Sequence, residues 1–558
     1  MKRLRMPVVT ALAVTLTLAL LAASTPSAGG SAPTRAERQA KSSTKIGNAH
    51  DIAHSVRVSG DGRKVFVTGD SDGGMKTGYD YATIAYDASN GKKLWLARYN
   101  GPASKDDGGE SLTLSSDGKK LYVTGATFSK KTGYDYGTIA YTAATGRRLW
   151  VARYNGPGNG PDGAGVVAAN ADGTSVFVTG TSWGGKALDY DFATVAYDAA
   201  TGKRRWVARY DGPAHDWEEW ASLTISRDGT KVFVSGGSRG TEDSSFDYVV
   251  VAYDAASGAE LWASRYDGPA HNLDEATSIT ASPDGTRVFV TGYSDDETES
   301  GEATTIAYGA ATGTRLWVAR YHGPGGEDRG ESLRLSPDGT KVFVTALSWG
   351  ENDDTNYATV AYDSATGERL WVARYEGPAH DDWAHSLAVS DDGTKVFVTG
   401  ESEGRMRRYT DDYATIAYDA SSGEQLWVAR YDGPANDWDV GGSVAVSPVG
   451  SRVFVTGYSV GRLTRADYAT IAYGAGTGKR IWLARYNGPG VICLVPYVQG
   501  LPLARAKVEI RRADCAVGKV TRIASSTKRG SVDSQAPKSG TRLAPKSRVR
   551  LLVSRGPR

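Results

Sequence analysis

The chain has 558 residues, 40% of them hydrophobic and 23% charged, which excludes a chain disordered by composition. Its 68 glycines and a 10% aromatic content rich in Tyr and Trp suit a turn-rich β protein better than a helical one. The formal charge of +2 is segregated: from Val491 onward 15 Lys/Arg face 3 Asp/Glu, the first 45 residues are also basic, and residues 46–490 carry about −16. An acidic body argues against nucleic acid as a partner. The only cysteines, Cys493 and Cys515, lie outside that body, which rules Cys-ligated zinc, iron–sulfur chemistry and thiol catalysis out of it.

At the N-terminus, Lys2, Arg3 and Arg5 precede a charge-free apolar run from Val8 to Ala23 and then small residues up to Ala28. That layout predicts a secretory signal peptide over 1–28, cut between about Ala23 and Ala28. No cysteine stands near the cut, so lipid attachment there is excluded. Residues 29–45, small and polar, read as a linker. No other stretch is apolar enough to cross a membrane, so the expected location is extracellular or in the cell wall.

Residues 46–490 repeat one unit eight times. Its central tryptophans are Trp95, Trp150, Trp206, Trp262, Trp317, Trp371, Trp427 and Trp482, spaced 54 to 56 residues apart. In the seventh unit four runs predict four strands: Ser386–Val389, Lys395–Thr399, Tyr413–Tyr418 and Gln425–Tyr431. Asp-Gly joins the first two runs in seven of the eight units, and a glycine joins the last two in all eight. Both are hairpin chemistry. Four antiparallel strands per period describe a propeller blade, so the fold class is all-β, with eight four-stranded blades in a ring. All four strands of the first and last units are complete. The ring therefore closes by packing one blade on another, with no strand exchanged.

The phrase Ala196–Trp206 (AYDAATGKRRW) matches the A-x-D-x-x-T-G-x-x-x-W motif, and so resembles the quinoprotein-type (PQQ-like) propellers. The longer phrase Asp412–Pro434 resembles the bacterial SBBP propeller repeats. Thr142, Gly309 and Gly474 depart from the motif aspartate that Asp87, Asp198, Asp254, Asp363 and Asp419 keep. The motif tryptophans are expected to pack blade on blade and the aspartates to cap turns. Enzymes with such repeats hold a quinone on the axis over a Trp floor, under a vicinal Cys–Cys ceiling in many members, with calcium on carboxylate and amide ligands. The propeller here has no cysteine and no single calcium-ligand set, so no cofactor, no metal and no catalytic residue is expected. An exported propeller enzyme, quinone-dependent or carbohydrate-active, is the alternative.

In such a meander the second-to-third and blade-to-blade loops share one face. The six tryptophans outside the motif fall there: Trp183 and Trp349 in second-to-third loops, Trp217, Trp220, Trp383 and Trp438 in blade-to-blade loops. Asp216, Asp381 and Asp437 stand beside them. Flat indoles next to hydrogen-bond acceptors suit a glycan or a protein ligand. Four of the seven histidines, His50, His215, His271 and His380, share one repeat position with Ser104, Asn159, Gly326 and Asn436. Their distribution around the ring predicts a turn role rather than a metal site.

From Val491 the period stops. Leu503, Ala506 and Ile510 mark one apolar helical face, followed by three strand-like runs, so residues 491–558 read as a small α+β domain. V-P-x-V-x-G at Val495–Gly500, Q-x-P-x-x-G at Gln535–Gly540 and the run Val549–Gly556 resemble a PASTA domain, with Lys546 where that pattern has Gly. The resemblance implies peptidoglycan as partner, and the charge implies an acidic wall polymer. Cys493 and Cys515 bracket the helix. Export would join them in a disulfide. The functional expectation is a secreted, wall-associated binding or scaffold protein.

Overall fold

The computed structural model describes residues 50–557 apart from 74–76, 186–189, 241–244, 297–299, 352–353, 405–409, 462–463, 489–492, 514 and 544–545. The signal peptide expected over 1–28 and the linker over 29–45 lie outside the described residues.

Eight four-stranded antiparallel sheets follow one another along the chain, each in simple meander order. Blade one is Asp51–Val58, Lys64–Asp72, Tyr79–Asp87 and Lys93–Tyr99, and blade eight is Asp439–Val446, Arg452–Ser459, Asp467–Gly474 and Arg480–Tyr486. The first strands of all blades adjoin one another around the ring, including first against last, and form its innermost layer. The second and third strands are buried along nearly their whole length, because a neighbouring blade covers each face. This is why they read as continuous apolar runs such as VFVT and ATIAY instead of alternating. Strands extend further than the apolar runs alone suggest: the seventh blade's first strand is Asp382–Val389 and its second Lys395–Glu403.

The repeated tryptophan joins each blade to the next. Its indole N–H donates to a backbone carbonyl one blade on: Trp95 to Ala143 at 3.1 Å, Trp150 to Ala199 at 3.3 Å, Trp206 to Ala255 at 3.1 Å, and so on to Trp427 with Ala475 at 2.9 Å. Trp482 donates to Ala88 at 3.0 Å and closes the ring. The ring plane lies against the glycine of the neighbour's last hairpin. That glycine has φ of +64° to +77°, and a Cβ on it would sit 2.5–2.7 Å from the indole. Only glycine satisfies both conditions. A second seam contact is made by tyrosine: Tyr81 donates to Gly137 at 3.0 Å, Tyr413 to Ala469 at 3.0 Å, and Tyr468 back to Ala82 at 3.1 Å. The two outer blades also share a backbone bond from Asp51 N–H to the Ala466 carbonyl at 2.8 Å.

The tail domain has a helix, Leu503–Arg512, and a three-stranded sheet in which Ala516–Ile523 runs parallel and Val532–Ala536 antiparallel to the central Arg548–Ser554. Its core gathers Val495, Val498, Ala506, Ile510, Val532, Val549, Leu551 and Val553 around the Cys493–Cys515 disulfide. Lys546 takes a left-handed backbone at φ +61°, the conformation that explains the glycine usual at that point of the pattern.

Two outcomes are expected. Gly258→Ala should destabilise the propeller by about 2–4 kcal/mol, through left-handed strain and overlap with Trp206, read as a lower denaturant midpoint. Replacing Cys493 and Cys515 together by serine opens a crosslink 22 residues apart in sequence. It should cost the tail about 3 kcal/mol, read as faster amide exchange in its sheet with the propeller unchanged.

Candidate ligand-binding site

Each blade begins with a buried acid: Asp51, Asp107, Asp162, Glu218, Asp274, Asp328, Asp382 and Asp439. Each accepts the N–H of the glycine in the preceding Gly-Pro corner, for example from Gly101 at 2.6 Å, Gly156 at 2.8 Å and Gly433 at 2.6 Å. Asp51 accepts from Gly488 at 2.8 Å across the seam. Burial pushes these carboxyls up against the pull of those hydrogen bonds: Asp162 and Asp382 to about 6, Asp51, Asp274 and Asp439 to about 7, and Glu218 to about 8. The fourth-strand arginine completes the corner. Arg98 donates to Tyr486 of blade eight at 2.8 Å and to Asp80 of its own blade at 2.7 Å, and Arg485 repeats this with Tyr431 at 2.9 Å and Asp467 at 2.7 Å.

That corner also places the histidine position singled out by the repeat. Ser104, Asn159, His215, His271 and Asn436 adopt φ of 49–54° there, a left-handed turn that His380 does not share. His215 and His271 reach back to Asp211 at 2.7 Å and Asp267 at 2.6 Å.

The tryptophans of the expected ligand face are scattered among several environments. Trp183 and Trp349 end second strands, Trp217 and Trp438 immediately precede first strands, and Trp220 and Trp383 belong to first strands rather than loops. The first strands start earlier than their apolar residues because the buried acid anchors them. Trp183, Trp217, Trp349, Trp383 and Trp438 are all half-buried. The Trp217 ring lies 5.7 Å from Tyr190, and Trp183 covers Gly160. Asp216 pairs with Arg239 at 2.8 Å, Asp381 lies 3.5 Å from the Thr355 hydroxyl, and Asp437 accepts the Trp438 N–H at 3.0 Å.

The axis carries side chains that the sequence pattern did not single out. Every first strand has a β-bulge at the same place, and the residue in it escapes the ladder. Bulges re-aim side chains. Here they carry His54, Glu110, Glu331 and His385 where other blades have Gly165, Thr277 or Gly442. His54 lies 3.4 Å from Asp70 and 3.9 Å from Glu110. Burial opposes its charge, but the two carboxylates outweigh it and hold the imidazole up at about 9. On the arc of blades six and seven, His385 lies 3.9 Å from Glu401 and 5.3 Å from the Trp383 ring, and Trp383 Nε1 donates to Glu331 at 3.3 Å. Burial drives His385 down to about 4 and Glu401 up to about 8, so both are uncharged at neutral pH. Arg329 spans Glu275 at 3.7 Å and Glu331 at 3.6 Å. His54, Asp70 and Glu110 offer ligand atoms within 4.8 Å of one another and could hold a metal ion.

In comparisons with known proteins, the family model described as outer membrane protein assembly factor BamB, of PQQ-like repeats, matches residues 29–244 and 246–489. The chain belongs to this family. A PASTA domain matches residues 494–555. Among curated proteins, a putative dehydrogenase XoxF of Paracoccus denitrificans is 22% identical over 45% of this chain, and a lanthanide-dependent methanol dehydrogenase of Methylorubrum extorquens is 24% identical over 44%. The chain spans 38% of the length of each. Among solved structures, Chaetomium thermophilum Sqt1 superposes with a TM-score of 0.49 at 12% identity, over 73% of this chain and 94% of that one. A quinohemoprotein alcohol dehydrogenase of Comamonas testosteroni gives 0.44 at 14% identity, over 79% and 76%. Both cysteines of the chain are in the tail, bonded to each other. The two domain types, with the disulfide, mark an extracellular or envelope protein. No helix among the described residues is long and apolar enough to cross a membrane.

The titrating groups set a pH response. The blade-entry carboxyls bind protons in the folded chain at pH values where the unfolded chain has released them, so stability falls as pH rises from about 4 to about 8. His54 acts with the same sign: its contribution is complete below about 6.5 and lost as pH passes about 9. The melting temperature should therefore decline steadily from pH 5 to pH 9, and His54→Gln should flatten only the upper part of that decline.

Proposed function

We propose that the chain is a wall-associated binding protein whose tail holds peptidoglycan or an acidic wall polymer while the propeller presents a glycan or protein ligand site. The observation that carries this reading is a depression of about 620 Å³ in the tail, lined by Arg522, Ser525, Ser526 and Arg555 among others. Two arginines beside the Ser526 hydroxyl suit the carboxylates of wall peptides or the phosphates of wall polymers, while the Ser525 hydroxyl donates to Asp533. The family match supports it, since PASTA domains bind peptidoglycan or peptides, and so does the tail's excess of 15 Lys/Arg over 3 Asp/Glu. The acidic propeller is repelled by the same polymers, which leaves its loop face directed to another ligand. Trp217 with Asp216, Trp438 with Asp437, and Trp383 with Asp381 are the stacking and acceptor groups of that face, joined by Trp183, Trp220 and Trp349.

The full chain should pellet with purified cell wall at low salt. Arg522→Gln/Arg555→Gln should lower the pelleted fraction by about tenfold if both forks engage the polymer. Charge attraction alone is screened beyond ~8 Å at physiological salt, so binding that persists in the wild type at high salt reports specific recognition. Equal pelleting of the two proteins would remove the depression as the wall site.

A further inference from the structure

We propose that Arg57 and Arg334 form a binding site for a multiply charged oxyanion on the propeller axis. The two arginines occupy the same register position in the first strands of blades one and six: Arg57 pairs with Phe66 and Arg334 with Phe343. The other blades carry Thr113, Ala168, Thr224, Thr280, Ala388 and Ala445 there. In so regular a repeat, two arginines among small residues are a local departure, not a feature of blade packing.

Their chemistry is incomplete without a counter-charge. Blades one and six are not neighbours in the ring, but both strands belong to its innermost layer, and the charge of Arg57 acts on Arg334 across it. Arg57 Nη1 donates to the Val56 carbonyl at 2.9 Å and Arg334 Nη1 to the Leu333 carbonyl at 2.7 Å. Among the described residues neither has a carboxylate partner, whereas Arg329, on the same strand as Arg334, lies between Glu275 and Glu331. Both side chains are half-buried. Burial lowers Arg57, and burial together with the charge of Arg57 brings Arg334 down to about 10. Two like charges taken partly out of water with no carboxylate of the chain between them are costly. A single oxyanion bridging both forks relieves the desolvation and the repulsion together. The fork geometry fits phosphoryl and carboxylate groups alike. One shared chemistry covers both sources.

The test uses the full chain in the Arg522→Gln/Arg555→Gln background, which removes the basic depression of the tail and separates this site from wall binding. Inorganic phosphate and citrate are titrated calorimetrically at constant ionic strength, with glucose as a neutral control. The expected result is one-to-one binding of phosphate or citrate. Added Arg57→Gln or Arg334→Gln should weaken it by about tenfold or more, and Lys at either position should restore it only in part. Tighter phosphate assigns a phosphorylated ligand, tighter citrate a polycarboxylate. A second reading needs no ligand: in anion-free buffer, Arg334→Gln should melt no lower than its parent, because a repulsion has been removed. Absence of binding by both anions, or affinity unchanged in the glutamine variants, would overturn the proposal. So would a clear fall in melting temperature for Arg334→Gln without anion.

Discussion

One indole per blade, lying on a glycine of the next, is the contact on which the ring depends. The Trp206 N–H meets the Ala255 carbonyl while its plane covers Gly258. A hydrogen bond satisfied in a buried seam and a large apolar face contribute at one point. Because the contact recurs with the same geometry from blade to blade, the angle between successive blades is set locally. That angle determines how many blades complete the circle, and the bond from Trp482 to Ala88 is the same contact made for the last time.

The eight-blade architecture was legible because the residues that make it repeat with the blade. The Trp spacing, the Asp-Gly and Gly hairpins and the apolar second and third strands all read directly as blades. The tail was legible for another reason: Leu503, Ala506 and Ile510 keep helical spacing, and the disulfide ties the domain as its cysteine positions suggest. The axial groups were not legible. A β-bulge breaks the two-residue alternation just where His54, Glu110, Glu331 and His385 stand, so no periodic reading assigns them to a face. His215 and His271, read from the sequence as turn residues, do stand at a turn, whose left-handed backbone accepts Asn, Ser and His alike. The signal of the axial groups in the sequence is a first-strand position at which the eight units fail to repeat.

The molecule handles charge in two opposite ways. At the blade entries each carboxyl is buried, accepts a corner N–H and gains proton affinity, so the acid acts as a hydrogen-bonding plug more than as a charge. On the axis the ionisable groups differ from blade to blade. One arc holds an imidazole between two carboxylates, the other an uncharged His–Glu pair beside an indole. A repeated frame thus surrounds an unrepeated, electrically asymmetric lining, and rigid surroundings are what let such a lining keep its asymmetry.

The seam between blades one and eight has a mechanical meaning. All four strands of each blade come from one contiguous stretch, and the ring is joined there by side-chain contacts and the short backbone bridge from Asp51 to Ala466. Pulling on the propeller's two ends loads that joint directly, with no shared sheet to carry the force. The circle would open like a clasp there before any blade unravels. Since every other junction uses the same contacts, the position of the clasp is an accident of where the chain begins, and a circularly permuted chain cut between any two blades would move it without altering the fold.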